Sequence, residues 1–521
     1  MDKKITVRCH EGTIMEIAPA SGLNMAQTLF LNGAFQGVPL CSGMGRCGLC
    51  KVRFESTPPQ PRKEELLKLS VSEIESGWRL SCLHPATPAK IFLPEPERVV
   101  PRVSDKFSSK LPENLALAVD LGTTGLHWAF TLNGEIIKSG QELNPQIGLG
   151  SEVMSRLAFA AKPEQRKILS ELVTERLKAI ISETGPINKL VISGNPSMTT
   201  ILAQENVEGL SRAPYSLPGK GGELVKLDAK LPEAYIPPHL APFVGADITA
   251  GIVALNFSEP EAQPPYLFAD LGTNGEFVLC LSEDEYIVCS VPMGPALEGV
   301  GMSNGRTAGP GAVSGFNLNP LGLAPSVIKT ENSRQNQTSR PGITGTGYLS
   351  LCGLLLKSGV LNREGQFGPG NTPFAAKLAS RLKEINGTPV LDLGYEGLVL
   401  PAQDVEEILK VKAAFNLAMS ALLAEAGLAP SDLKELILGG AMGQHVNIND
   451  LVATGFIPAQ NATITRAAGN TSLTGSIILT HNQEARDFAA GLPARSKVLE
   501  LAGSSDFGQK YLERMIFKYV Y

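Results

Sequence analysis

Residues 3–9 alternate apolar and polar side chains, Glu11-Gly12 offers a turn, and Thr13 to Ile17 alternates again, which predicts a β-hairpin. Leu23 to Leu31 switches to helical spacing, Lys51-Val-Arg-Phe54 reads as a further strand, and Glu64 to Ile74 as a polar helical excursion. From Pro94 to Asn114 no period is sustained, and prolines and charges dominate, as in a partly stiffened linker. Beyond it, Leu115-Ala-Leu-Ala-Val is a continuous apolar run that stops at Asp120, followed after a glycine–threonine turn by His127-Trp-Ala-Phe-Thr. A short apolar run bounded by turn residues predicts a buried strand. Val405 to Gly427 predicts a long amphipathic helix that serves core packing, and Glu435-Leu-Ile-Leu a strand running into a glycine-rich turn.

The figure at Asp120-Leu-Gly-Thr-Thr-Gly125 returns at Asp270-Leu-Gly-Thr-Asn-Gly275, again after an apolar strand and before a second one, Glu276-Phe-Val-Leu-Cys. A repeat of this kind bears on the whole architecture. Each copy is a hairpin whose turn (Gly122, Thr123 and Thr124; Gly272, Thr273, Asn274 and Gly275) offers backbone N–H and hydroxyl donors to phosphate oxygens. The acid at each strand end, Asp120 or Asp270, is placed to hold a Mg²⁺-bound water, although Asp favours turns on its own account. At Gly439-Gly440-Ala-Met-Gly443 the bare backbone can approach a flat ring and a ribose. Asp247 is an ordinary N-cap candidate, and Glu298 sits in a Gly/Pro-rich loop.

Cys41, Cys47, Cys50 and Cys82 change the picture at the amino-terminal end. The spacing C-x5-C-x2-C with a distant fourth cysteine is a small variation on the plant-type pattern for a [2Fe–2S] cluster. Gly43, Gly45 and Gly48 allow the loop to wrap a cluster, and the short C-x2-C arm suggests Cys47 and Cys50 on one iron. A zinc ribbon presents two C-x2-C pairs, and this chain has one; unrelated buried thiols do not explain three cysteines within ten residues. Cys9, Cys280, Cys289 and Cys352 stand singly in apolar patterns and read as small core residues. His10 and His84 flank the cluster region, but with four cysteines in place they read as bystanders.

At 521 residues the chain exceeds one ordinary core. Its 43% hydrophobic and 19% charged residues suit a soluble globular protein, and a net charge of −5 without a basic block gives no footprint for nucleic acid. No apolar run reaches 18 residues and the start is not a signal peptide, so no membrane segment is expected and the expected location is cytoplasmic.

The cysteine set with strand–strand–helix–loop–strand order resembles the β-grasp fold of [2Fe–2S] ferredoxins over about the first 95 residues. The two aspartate turns and the late G-G-A-M-G resemble the acetate-kinase/sugar-kinase/Hsp70/actin (ASKHA) superfamily. That resemblance implies ATP bound between two ribonuclease-H-like halves, with Asp247 orienting the attacking water. Asn144-Pro-Gln-Ile-Gly-Leu-Gly-Ser-Glu-Val-Met-Ser-Arg156, Ile192-Ser-Gly-Asn-Pro-Ser-Met198, Phe243-Val-Gly-Ala-Asp247 and Gly294-Pro-Ala-Leu-Glu-Gly299 narrow it further. With Gly342-Ile-Thr-Gly-Thr-Gly347 and Gly469-Asn-Thr-Ser-Leu-Thr-Gly475, they resemble the ferredoxin-fused ATPases that reductively activate corrinoid proteins.

The expected fold is thus α/β: a ferredoxin-like domain over 1–94, a linker over 95–114, and an ASKHA-type ATPase over 115–521 with halves of roughly 115–262 and 263–521. Longer members of that group carry an extra middle domain, and the linker alone is expected in its place. The loop Gly301–Gly309 also lacks the cysteine expected there. The resemblance implies an ATP-dependent activator holding a [2Fe–2S] cluster, ATP and Mg²⁺. It would pass one electron to Co(II) of a corrinoid protein in a methyltransferase system, draw on a reductase, ferredoxin or flavodoxin, and form a homodimer. A plant-type centre sits near about −400 mV, so coupling to a nucleotide would serve an uphill transfer. Two other readings stay open: a small-molecule kinase with a redox-regulatory ferredoxin domain, and a nucleotide-switched electron carrier.

Overall fold

The computed structural model describes residues 4–105, 114–272, 274–299, 301–320, 322–329, 341–385, 387–440, 446–501 and 506–521. The amino-terminal module is a mixed five-stranded sheet of β1 (Ile5–Cys9), β2 (Ile14–Ile17), β3 (Lys51–Phe54), β4 (Trp78–Leu80) and β5 (Ala89–Leu93), in the order β2-β1-β5-β3-β4. The hairpin β1–β2 forms as the alternation predicts, and β1 runs parallel to β5. The helix Met25–Leu31 starts at a capping box in which Asn24 Oδ1 accepts from Gln27 N at 2.8 Å and Gln27 Oε1 from Asn24 N at 3.1 Å. The polar excursion resolves into two short helices, Lys63–Leu66 and Val71–Glu75.

The stretch expected as a linker is tied down. Val99 N donates to Gly37 O at 2.7 Å. Arg102–Asp105 forms β6, which pairs antiparallel with β9 (Glu135–Leu143) and adds an edge to the first of two larger sheets. All four β6 residues are exposed, so the pairing rests on backbone hydrogen bonds and leaves no apolar alternation to read.

That sheet continues with β7 (Leu115–Leu121), β8 (Gly125–Leu132), β10 (Ile187–Gly194), β11 (Glu223–Val225) and β12 (Ala234–Ile236), ordered β11-β12-β10-β7-β8-β9-β6. The second sheet holds β13 (Tyr266–Leu271), β14 (Asn274–Ser282) and β15 (Glu285–Pro292). Between β15 and the next core strand lie two small sheets, of β16 (Ala312–Asn319), β17 (Gly322–Val327) and β18 (Gly342–Ile343), and of β19 (Leu382–Ile385), β20 (Thr388–Asp392) and β21 (Val399–Pro401). The second sheet is completed by β22 (Glu435–Gly440), β23 (Thr465–Gly469) and β24 (Ser496–Val498), in the order β23-β22-β13-β14-β15-β24.

The two large sheets share one plan. In each, three strands meander antiparallel (β7–β8–β9; β13–β14–β15), a fourth joins parallel to the first (β10; β22), and a fifth extends it in parallel (β12; β23). The sequence repeat is therefore a repeat of topology, and it puts Asp120 and Asp270 at equivalent strand ends. The helices Ala246–Phe257 and Thr471–His481 pack so tightly that a Cβ on Gly475 would run into the backbone of Ala250. The helix Ala402–Glu425, close to the predicted Val405–Gly427, is buried along much of its length in the core of the carboxy-terminal half. Among the described residues no helix is long and apolar enough to cross a membrane.

Candidate functional site

Two sites emerge, one in each module. In the amino-terminal module, Cys41, Cys47, Cys50 and Cys82 line one pocket with Asn24, Ser42 and Gly148. Cys41, Cys50 and Cys82 are buried and Cys47 is partly exposed. Backbone in the left-handed region at Ser42, Gly43, Gly45 and Gly48 (φ 46°, 107°, 65° and 74°) winds the loop. Hydrogen bonds from the thiols of Cys47 and Cys82, with the amides of Cys47 and Arg46, hold Cys41 well below the ordinary thiol range, and Cys47 and Cys82 rise in consequence.

The thiols meet as a chain of neighbours: Cys47 beside Cys41, Cys41 beside Cys82, and Cys82 beside Cys50. Cys50 acts on Cys47 as well, so the four thiols form one group. Among the described residues no three His, Cys, Asp or Glu side chains converge on a single-ion position. Four thiols lining one pocket can hold a metal centre through four thiolates. His84 stays out of the pocket: its Nε2 lies 3.0 Å from Oε1 of buried Glu65, which also accepts from Leu80 N at 2.6 Å. The four remaining cysteines are buried, as their apolar settings predict.

The second site lies where the two repeats face each other. Asp120, at the end of β7, accepts from Ser472 Oγ at 2.8 Å (Oδ1) and from Asn470 Nδ2 at 2.7 Å (Oδ2), with His127 Nδ1 3.2 Å from Oδ2. Burial pushes its carboxyl up, but His127, Asn470 and Ser472 together more than reverse this, and it lies below the ordinary range. Asn470 also caps the helix Thr471–His481 through Oδ1, which accepts from Leu473 N at 2.7 Å. That bond turns the amide so that Nδ2 faces Asp120.

Asp247, in the first turn of the helix Ala246–Phe257, is raised to about 7 by burial and then by the charge of Asp120. Asp270 rises well above the carboxylate range through burial, with Asp247, Asp120 and Glu298 adding repulsion. Glu276, beside it on β14, behaves likewise. These carboxylates cannot all ionise together without added positive charge. Thr124 Oγ1 donates to Glu298 Oε2 at 2.5 Å, so the first aspartate turn and the Gly294–Gly299 loop touch across the two halves.

The glycine-rich turn after β22 stands next to the second aspartate turn. Gly439 pairs with Asp270 and Gly440 with Leu271, and a Cβ on Gly440 (φ +75°) would fall on Asp270 Oδ1. Thr273 and Gly443 lie outside the described residues. The first turn is held from behind: Asn144 Nδ2 donates to Gly122 O at 2.7 Å, Asn195 Nδ2 to Thr123 Oγ1 at 2.9 Å, and Arg156 Nη1 to Thr123 O at 2.7 Å. Asn470, Ser472, His127, Arg156 and Asn144 carry no role in a reading of the sequence alone. Four of the five fall within the quoted segments 144–156 and 469–475, which was the signal available.

Known proteins match most of the chain. A family model described as the RACo middle region matches residues 115–260, and another, the C-terminal domain of RACo, the ASKHA domain, matches 265–520. The corrinoid activation enzyme RamQ of Eubacterium limosum is 27% identical over 429 residues, covering 77% of this chain and 70% of that protein. The [Co(II) methylated amine-specific corrinoid protein] reductase of Methanosarcina barkeri is 27% identical over 399 residues, 68% of each chain. A solved reductive activator for corrinoid,iron-sulfur protein superposes with a TM-score of 0.66 at 20% identity, covering 99% of this chain and 98% of that one.

The RACo middle region falls at 115–260, the part expected as the first ATPase half. With its middle region and its C-terminal ASKHA domain in tandem over most of its length, the chain belongs to the RACo family.

Proposed function

We propose that this chain is an ATP-dependent reductive activator that returns a Co(II) corrinoid protein to Co(I). The observation that carries the reading is the union, in one chain, of a four-thiol pocket and a two-half cleft with matched aspartates, in a family whose matched relatives bear corrinoid-activation and corrinoid-reductase names. The amino-terminal sheet is then a ferredoxin-like domain over 1–94, with Cys41/Cys47 and Cys82/Cys50 as the two ligand pairs of a [2Fe–2S] cluster. Bound there, the cluster supplies a one-electron carrier. Cys47 forms the partly exposed wall of its pocket.

In the cleft, Gly122–Thr124, Gly272, Asn274 and Gly275 face the phosphates of ATP, and Gly439 and Gly440 its adenosine. Asp120, held ionised by Asn470 and Ser472, and Asp270 take Mg²⁺, whose charge lets the second carboxyl give up its proton. Asp247, poised near neutrality, orients the attacking water and accepts its proton. The chain's partners are a corrinoid protein and an electron donor.

The test is anaerobic visible spectroscopy of a Co(II) corrinoid protein mixed with this chain and a reductant. Conversion of the Co(II) band to a Co(I) or methyl-Co(III) band only with Mg-ATP, and lost in Cys50→Ala and Asp120→Ala, is the expected result. An intact cluster without any ATP-dependent change, across several corrinoid proteins, would overturn the assignment.

A further inference from the structure

The two sites are joined by one short segment. Ser42, next to Cys41 in the cysteine loop, donates from Oγ to Ile147 O at 2.7 Å, and Gly148 forms part of the wall of the thiol pocket. Gly148 lies so close to the ring of Phe30 that a Cβ would overlap it, so the module sits on this segment without a gap. Three residues back, Asn144 takes hold of the first phosphate-binding turn twice: its N donates to Thr124 O at 2.8 Å and its Nδ2 to Gly122 O at 2.7 Å. Ile147 N donates to Asn144 O at 3.0 Å and Gln146 N to Asn144 Oδ1 at 2.8 Å, which makes the segment a compact 3₁₀ turn.

Arg156 fastens the same segment. Fully buried, it donates through Nη1 to Thr123 O at 2.7 Å, through Nε to Gly150 O at 2.9 Å, and through Nη1 to Gln146 Oε1 at 3.3 Å. Burial lowers its pKa, and the charge of Glu298 works against that. A buried cation behind a turn of phosphate-binding type favours an anion arriving on the other face. From Ser42 to Gly122 the path is Ser42–Ile147–Asn144–Gly122, continuous in hydrogen bonds.

We infer that Asn144–Gly150 is a relay through which the phosphate-binding turn and the cysteine loop sense each other, with Ser42 and Asn144 as its positioning residues; this rests on the proposed cluster and nucleotide assignments. A phosphate drawn onto Gly122–Thr124 shifts the carbonyls that Asn144 holds, and the displacement reaches Ile147 O and the Gly148 wall beside Cys41. Hydrogen bonding and exposure at the sulfurs set a cluster's potential, so nucleotide occupancy is read there. Thermodynamic linkage demands the converse: the redox state must alter nucleotide affinity by the same factor.

The test titrates non-hydrolysable Mg-ATP analogue into the cluster-loaded full chain, oxidised and then dithionite-reduced, and measures the cluster potential with and without the analogue. The relay predicts Kd values that differ at least threefold between the redox states, matched by a shift of about 28 mV at 59 mV per tenfold. Ser42→Gly, which accepts the +46° backbone without strain and lacks the hydroxyl, should bring both differences under twofold, with iron content measured alongside to show that the cluster is loaded. Hydrogen exchange supplies a second readout: analogue binding should slow exchange at 41–50 in the wild-type chain and not in Ser42→Gly. Equal Kd values in both redox states, or an undiminished difference in Ser42→Gly, overturn the relay alone. Failure to bind iron or nucleotide overturns the site assignments and the relay with them.

Discussion

Asn470 is where two roles can be separated by substitution. Its Oδ1 caps the helix Thr471–His481, and its Nδ2 hydrogen-bonds the Asp120 carboxylate at 2.7 Å. Asn470→Ala removes both. Loss of an N-cap costs about 1 kcal/mol, and loss of a hydrogen bond to a charged group about 1.5–3 kcal/mol. Together they come to roughly 3 kcal/mol, and at about 2–4 °C per kcal/mol for a unit of this size the melting temperature of the nucleotide-free chain should fall by about 6–12 °C. Asn470→Asp keeps the cap, since Asp is as good an N-cap as Asn, but faces Asp120 with a second carboxylate. The two acids then share a proton, their folded pKa rises above the unfolded one, and stability present at low pH is lost as pH rises through that value. Asn470→Asp should therefore melt near wild type at pH 4.5 and well below it at pH 8, whereas the deficit of Asn470→Ala should change little. Thermal unfolding by circular dichroism at the two pH values measures this. Indistinguishable pH behaviour of the two variants, or Asn470→Ala within 2 °C of wild type, would refute the account of how Asp120 is held ionised.

Four further outcomes are expected. Asp247, raised to about 7 by burial and the charge of Asp120, holds its proton more tightly folded than unfolded, so the nucleotide-free chain should lose stability as pH rises from about 4 to about 7. Binding of Mg-nucleotide at pH 6.5 should release a proton that Asp247→Asn does not, read by calorimetry in two buffers of different ionisation enthalpy. Cys47→Ala and Cys82→Ala should lose bound iron, whereas Cys289→Ala, fully buried in the carboxy-terminal core, should keep it and only lower the melting temperature; iron analysis and thermal unfolding decide this. Val103→Pro should unzip β6 from β9 with little loss of packing, since Val103 is exposed. Faster hydrogen exchange at 138–141, with the rest of the first sheet unchanged, measures this.

What the sequence conveyed depended on which physical force fixed each feature. The strands ending at Asp120 and Asp270 were legible because burial on both faces requires apolar runs, and the duplicated turn announced that the two sheets share a plan. The thiol pocket was legible because only a tight left-handed loop brings three cysteines of one short stretch together. β6 was silent because an exposed edge strand is held by its backbone, which every sequence possesses. Asn470 and Ser472 come to Asp120 from some 350 residues away, through the packing of the two central helices that Gly475 permits. No local period encodes such a meeting. The same holds for Asn144 and Arg156: a polar side chain that fastens a distant turn looks, in sequence, like any other polar side chain in a loop. The features that carry the chemistry were thus partly visible, while those that would make one site answer to the other appear only once the backbone carbonyls of Gly122, Thr123 and Ile147 have found their donors.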